Sequence, residues 1–213
     1  MRATVGDGPS PRDEGPTSRA HRFDALYRER IDPWDFRGSA YERDKYRATV
    51  AALPRPRYRL AIEAGCSIGE LARAIAARAD ATLGLDVSEV ALAEARRAHA
   101  GVPGLEFRRA ELPRDWPDGS CDLAVLSEVL YYLDAGEIDE LGARVAHALE
   151  PGGHCVAVCW LGDTGEALDG TRAAERFARA LTAPPGGVVR LDAPRSGRYR
   201  IDLFERPLAE DAR

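Results

Sequence analysis

From Tyr58 to Trp160, short apolar runs alternate with segments of helical periodicity, and this alternation constrains the fold more than any other feature of the chain. The runs fall near residues 59 to 64, 81 to 86, 105 to 109, 121 to 127 and 153 to 160, with helical patterns near 69 to 79, 88 to 99 and 135 to 149. Parallel neighbours need crossover connections, and helices of this length supply them, so the pattern predicts a parallel sheet covered on both faces. After a further helix near 171 to 182, two β-rich runs, 187 to 192 and 199 to 205, are joined by Ala193-Pro194-Arg195-Ser196-Gly197-Arg198. That short link predicts an antiparallel hairpin. The expected architecture is doubly wound α/β with seven strands, mostly parallel.

Two helices are expected before the sheet. Phe23, Leu26, Tyr27 and Ile31 recur at three- and four-residue spacing as one apolar face, and Asp32-Pro33 ends that helix. Ser39 and Glu42 have capping-box spacing, in which each side chain bonds the other's orphan amide, and open a helix running to about Leu53. Residues 1 to 20 are rich in glycine, proline, serine and mixed charge, with too little apolar surface to offset their ordering entropy, and read as a disordered tail. The folded part is expected to be one domain over 21 to 207, a helical lid at 21 to 55 followed by the α/β core at 56 to 207.

Composition excludes several classes. Hydrophobic residues make up 45% and charged residues 31%, as in an ordinary globular protein. With 35 acidic against 30 basic residues there is no global positive field for a phosphate backbone, so no nucleic-acid partner is expected. No apolar run has the length of a membrane span and no signal peptide is visible, so the expectation is a cytoplasmic protein with no membrane partner. Cys66, Cys121, Cys155 and Cys159 lack a pair-of-pairs spacing and read as free thiols. A metal site from His154, Cys155 and Cys159 is disfavoured, because residues 155, 157 and 159 share one face of a buried strand; no metal is expected.

The segment from Leu60 through Glu63, Gly65, Cys66 and Ser67 to Gly69 is an apolar strand ending at a carboxylate, followed by a small-residue turn into a helix. Such a turn lets a ligand approach the backbone closely. The next strand ends at Asp86, where an acid can accept both hydroxyls of a ribose. Capping of the following helix is its competing role, but Ser88 fills that already. A dinucleotide fingerprint would place its three glycines at Gly65, Ser67 and Glu70, and a carboxylate at the third position would repel a pyrophosphate. Glu63 instead suits a ligand with no phosphate and a positive charge, which describes the sulfonium and ammonium of S-adenosylmethionine.

Glu63-x-Gly65-x-Ser67-x-Gly69 resembles the class I methyltransferase motif, with serine in place of its middle glycine. Leu112-Pro113, Cys121 to Glu128 and Pro151-Gly152-Gly153 follow in that family's order. The resemblance implies a Rossmann-like methyltransferase fold with S-adenosylmethionine as donor and S-adenosylhomocysteine as product. It further implies that Glu63, Gly65, Cys66, Ser67 and Gly69 wrap the methionine portion and that Asp86, with Val87 beside it, holds the ribose. Ala110, Glu111 and Leu112 would flank the adenine, and Ser127 would lie near the sulfonium. The stretch from Asp32 to Phe36, then Ser39, Tyr41, Glu42, Lys45 and Tyr46, and Ser127 through Leu133 resemble the nodulation protein S group, over about residues 21 to 160. That group N-methylates the free amine of a deacetylated chitooligosaccharide. Past Trp160 the likeness thins, with Thr171 and Ala174 where an acid and a histidine would be expected in a loop covering the acceptor.

Methyl transfer is an in-line displacement, so alignment and water exclusion are the main tasks, and an ammonium acceptor must also lose a proton. Glu128, just past the fourth strand, is the candidate for orienting and deprotonating an amine, with helix capping as its competing role. Tyr131 and Tyr132 are read as a wall for a sugar or amine, at least one of them being core, and Tyr132 is the candidate catalytic partner of Glu128. Trp34, Tyr41 and Lys45 belong to the helical lid, with Lys45 either near the donor's carboxylate or a solvated charge. His21, His99, His147 and His154 form no catalytic group. The favoured reading is an N-methyltransferase for a small-molecule or oligosaccharide amine, ahead of a small-molecule O-methyltransferase, a nicotinamide oxidoreductase and a non-catalytic donor-binding module. The oligomeric state is not legible.

Overall fold

The computed structural model describes residues 18–184, 187–191 and 197–208. Two helices come first, α1 (Ser18–Glu29) and α2 (Ala40–Ala51). The core follows as β1 (Tyr58–Ala64), α3 (Glu70–Ala76), β2 (Ala79–Asp86), α4 (Glu89–Ala98), β3 (Leu105–Arg109), β4 (Cys121–Ser127), α5 (Ala135–Ala148), β5 (Leu149–Trp160), α6 (Gly170–Leu181), β6 (Val189–Leu191) and β7 (Tyr199–Glu205). A 3-10 turn at Leu130–Tyr132 lies between β4 and α5.

The seven strands form one sheet in the order β3-β2-β1-β4-β5-β7-β6. The first five pair in parallel, and β7 runs antiparallel to both β5 and β6, as the hairpin reading requires. Strand alternation sends Ile62, Ala64, Ala124, Leu126, Cys155, Ala157 and Cys159 to the face covered by α5 and α6. Ala61, Leu123, Val125, Val156 and Val158 go to the opposite face, beside Leu71 and Ile75 of α3. All seven residues of β4 are buried, because a central parallel strand has cover on both sides. No helix among the described residues is long and apolar enough to cross a membrane.

Several boundaries differ from the sequence reading. The helix α1 begins at Ser18, so residues 18 to 20, expected in the tail, are its first turn; residues 1–17 lie outside the described residues. It stops at Glu29, which leaves Ile31 outside the apolar face and 38% exposed. Asp32 then closes the turn itself, its carboxylate accepting from the Phe36 and Arg37 amides. Pro151-Gly152-Gly153 lies inside β5 instead of before it, because the pairing register with β4 shifts there and Gly152, at φ +76, absorbs the irregularity. The segment after Trp160 becomes helical at Gly170, so Thr171 and Ala174 sit on α6 and not in a covering loop. The hairpin link at residues 192 to 196 lies outside the described residues.

The capping box at Ser39 is only half formed. Ser39 Oγ accepts from the Glu42 amide, but the Ser39 amide donates to the Asp35 carbonyl, so the Glu42 side chain is not needed there. At α5 the box is complete, with Asp134 and Glu137 each bonding the other's backbone.

Close packing of α5 on α6 rests on Gly142, where an added Cβ would lie 2.5 Å from Ala180 Cβ and 3.0 Å from the Leu181 nitrogen. Gly142→Ala should therefore destabilise the fold by about 1–3 kcal/mol through overpacking, read as a lowered urea midpoint with unchanged slope. An unchanged midpoint would show that the two helices slide apart at no cost.

Candidate functional site

Strand order reverses between β1 and β4: from β1 the chain crosses to β2 on one side, and later to β4 on the other. Connections leaving in opposite directions open a crevice at the carboxyl ends of these strands. A cavity of about 530 Å³ occupies it, floored by the loops after β1, β2 and β4 and roofed by residues of α1, α2 and the segment between them.

The β1 loop enters the left-handed region at Gly65, Ser67 and Gly69, with φ of 77°, 51° and 84°. Serine pays a steric penalty there that glycine escapes. Two contacts hold it: its amide donates to Asp86 Oδ2 at 2.8 Å, and its hydroxyl accepts from Tyr27 at 2.5 Å. Gly65, Cys66 and Ser67 line the cavity. Gly69 does not; it is the N-cap of α3, and a Cβ there would lie 2.7 Å from Phe107 and 2.9 Å from His99, so its work is backbone turning and close packing.

Two carboxylates stand at neighbouring strand ends. Glu63 is 2% exposed, and its Oε2 has no hydrogen-bond partner. Burial, and then the charge of Asp86, push its carboxyl up to about 8. Asp86 is raised to about 6 by burial, opposed by the amides of Ser88 and Ser67, each bonding one of its oxygens. Val87, Ala110 and Leu112 line the cavity beyond Asp86. Glu111 is not among the lining residues; its carboxylate faces Arg19 at 3.7 Å and Arg114 at 3.9 Å on the outer side.

The other end of the cavity centres on Lys45, buried on α2. Its ammonium lies 2.7 Å from Glu128 Oε1 and 3.0 Å from Glu42 Oε2. Burial alone would favour losing its proton, but the two carboxylates outweigh burial and raise Lys45 above its ordinary value. This excludes the solvated-charge reading. Glu128 adopts φ 58° directly after Ser127, and it caps no helix. Besides Lys45 it accepts from the Tyr131 hydroxyl at 2.7 Å and the Trp160 amide at 2.8 Å, both on Oε2. These bonds engage both oxygens of Glu128 and tie the lid helix to the segments following β4 and β5.

Tyr131 and Tyr132 both line the cavity, Tyr131 buried in the core with its hydroxyl on Glu128 and Tyr132 only partly buried, edge-on to Phe23 at 5.0 Å. Burial and the nearby Glu166 charge raise the Tyr132 phenol to about 12, so it stays neutral. Trp34, Tyr41 and Ser127 line the cavity as expected. The Arg22–Glu166 ion pair joins α1 to the segment after β5. Tyr27, Tyr46 and Arg198 are lining residues absent from the sequence-derived site. Tyr27 and Tyr46 carry helical apolar spacing that is indistinguishable from core, and Arg198 reads as hairpin link. Among the described residues no group of three or more His, Cys, Asp and Glu could hold a metal. His154 contacts Tyr58, on the face of β5 opposite Cys155 and Cys159.

Residues 61–153 match the family described as "Methyltransferase domain". A solved structure from Pseudomonas syringae, assigned to the methyltransferases, is 36% identical, with 79% of this chain aligned to 100% of that one and a TM-score of 0.68. A trans-aconitate 2-methyltransferase of Methylobacterium nodulans is 32% identical over 73% of this chain and 56% of its own length, so this chain spans little more than half of that relative. The N-methyltransferase NodS of Bradyrhizobium japonicum, solved with S-adenosyl-L-homocysteine, shares the fold at a TM-score of 0.71 and 19% identity, covering 86% of this chain and 98% of that one.

The buried carboxyls set a pH dependence. Glu63 and Asp86 keep protons in the folded chain at pH values where an unfolded chain has released them. Unfolding therefore releases protons, and without ligand stability should fall as pH rises from about 4 to about 8, by several kcal/mol, at about 1.4 kcal/mol for each pH unit by which a carboxyl is raised. Glu63→Gln should flatten most of this slope in denaturation series at pH 5 to 9. A slope as steep as that of the unaltered protein would mean that Glu63 is ionised and paired.

Proposed function

The chain belongs to the methyltransferase family, and on that premise we propose that it transfers a methyl group from S-adenosylmethionine to the free amine of an amino sugar or a related small amine. The observation that carries the donor assignment is the Glu63–Asp86 pair: one buried carboxylate with an orphaned oxygen, and one whose oxygens each take a single backbone bond. A donor with two cationic centres, no phosphate and a ribose suits both. The orphaned oxygen suits the cation and Asp86 the paired hydroxyls, while a pyrophosphate would bring further negative charge against two buried carboxyls and would favour ionisation of neither. When bound, the donor supplies an electrophilic methyl carbon.

The chain's own residues then have defined tasks. Gly65 and Ser67 let the donor approach the backbone, and Ser67 is kept in its strained conformation by Asp86 and Tyr27. Phe23, Tyr27, Trp34 and Phe36 close the roof with apolar surface that excludes water from the reacting atoms. Glu128, Lys45 and Tyr131 lock the walls at the acceptor end. Alignment is the larger part of catalysis for such a displacement, and a wall fixed by three bonds maintains it.

Charge supports an amine over an anionic acceptor such as the tricarboxylate named for the Methylobacterium relative. Lys45 faces two carboxylates, Arg22 pairs with Glu166 and Arg19 with Glu137, so these cations are already committed. A polyanion would have to displace carboxylates from them. The nodulation protein S resemblance, carried by residues 32 to 46 and 127 to 133, supports an amino-sugar acceptor.

The test is incubation with isotopically methyl-labelled donor and chitooligosaccharides that are fully or partly N-acetylated, read by mass spectrometry. Label only where a free amine is present is the expected result, whereas label on a hydroxyl of both would favour O-methylation. Asp86→Ala should weaken donor binding by about 100-fold, the effect of losing charge-assisted bonds to two hydroxyls. Calorimetry returning the original affinity would remove Asp86 from the donor site.

A further inference from the structure

Among the described residues, five buried side-chain polar atoms have no hydrogen-bond partner: Tyr41 Oη, Glu42 Oε2, Glu63 Oε2, Thr82 Oγ1 and Trp116 Nε1. Buried polar atoms are ordinarily satisfied, so orphans concentrated in one cavity point to a ligand's bonds. Tyr41, Glu42 and Glu63 line the same cavity, and Glu63 belongs to its donor end. The remaining two are sequence neighbours on the first turn of α2.

We propose that Tyr41 and Glu42 form the seat for the acceptor's ammonium group, with Glu42, and not Glu128, as the carboxylate that selects an amine. This deepens the amine reading and rests on it.

The local fold explains why Glu42 is available. Its spacing from Ser39 suits a reciprocal cap, but the Asp35 carbonyl takes the Ser39 amide, and the Glu42 carboxylate turns into the cavity at 6% exposure. Charge explains why it attracts a cation. Glu42 and Glu128 share one ammonium, that of Lys45, while the other nearby cation, Arg198, lies over the Tyr41 ring, so two carboxylates depend on a single ion-pair partner. Glu128 has both oxygens engaged, Oε1 by Lys45 and Oε2 by Tyr131 and Trp160. Glu42 has Lys45 as ion-pair partner, 3.1 Å from Oε1 and 3.0 Å from Oε2, yet Oε2 receives no hydrogen bond of acceptable direction. Tyr46 also bonds the Glu42 side chain, so the open acceptor capacity is confined to Glu42 Oε2.

Tyr41 supplies the second contact. Its ring is fixed edge-on to Tyr199 at 5.9 Å, under the Arg198 guanidinium at 4.0 Å, so its hydroxyl is presented in a set position. A primary ammonium has three N–H donors, enough for Glu42 Oε2 and Tyr41 Oη together. A hydroxyl acceptor has one donor and no charge, so it would satisfy one of these oxygens and leave the other unmet.

The experiment compares the unaltered protein, Glu42→Gln and Tyr41→Phe, using labelled donor with partly deacetylated chitotetraose, glucosamine and a short alkyl amine as acceptors. Glu42→Gln should raise the amine KM by about 10-fold or more, and Tyr41→Phe by about 3-fold to 10-fold, each with donor Kd within about twofold of the original. The structural alternative, a damaged lid, would raise donor Kd in parallel and would overturn the seat. Unchanged amine KM in both variants, with label still on the amine, would overturn the seat and leave the amine reading intact. Label on hydroxyls alone, or on no acceptor, in the unaltered protein would overturn the amine reading and the seat with it. Should Glu42→Gln fail to fold, Tyr41→Phe decides, since it removes a single oxygen.

Discussion

The reversal of strand order between the parallel neighbours β1 and β4 is the constraint on which the rest depends. The middle of a parallel sheet covered on both faces cannot hold an unpaired charge, because both sides are dry. The carboxyl ends of its strands can, because there the crossovers diverge and leave a crevice. Glu63 and Asp86 end β1 and β2, and Glu128 follows β4 directly. Three adjacent strands thus deliver three carboxylates to one cavity.

Holding these charges out of water has a large cost that the fold offsets in two different ways. At the donor end burial is left uncompensated, and the carboxyls respond by retaining protons, Glu63 up to about 8 and Asp86 to about 6. At the acceptor end Lys45 is drawn in from the lid, and its ammonium is shared between Glu128 and Glu42. A buried ion pair contributes little net stability, but its geometry is specific. Here it fixes α2 to the loop after β4, so the lid's position and the walls of the cavity are set by the same contact.

Much of this was legible in the sequence. Alternation and helical spacing yield all seven strands and the six described helices, because each element's apolar face matches the layer it buries. Strand-end acids and the small-residue turn locate the end of the cavity proposed for the donor, since both follow from backbone geometry at a switch point. The acceptor end was less legible for a physical reason: its residues have ordinary local roles that tertiary contacts override. Glu42 has the spacing of a capping residue, and it was the Asp35 carbonyl, at φ 57°, that released it. Glu128 has the position of a helix cap in the sequence, and its bonds to Tyr131 and the Trp160 amide are tertiary contacts that no local pattern shows. Gly69 reads as a ligand-cradling glycine, whereas Phe107 and His99 show that its missing Cβ serves packing.

Two non-glycine residues in the cavity wall, Ser67 and Glu128, hold left-handed backbone conformations. Such strain persists only where surrounding contacts over-determine it. For Ser67 those contacts are Asp86 below and Tyr27 above, so floor and roof at the donor end are joined through a strained residue. For Glu128 they are Lys45, Tyr131 and Trp160, which join the lid, the turn after β4 and the end of β5. The donor floor is therefore built on the sheet itself, while the proposed amine seat is carried by a helix attached to it through a few polar contacts. On the proposed assignment, substitutions on α2 would alter the acceptor end while the strand ends that form the other end of the cavity keep their geometry.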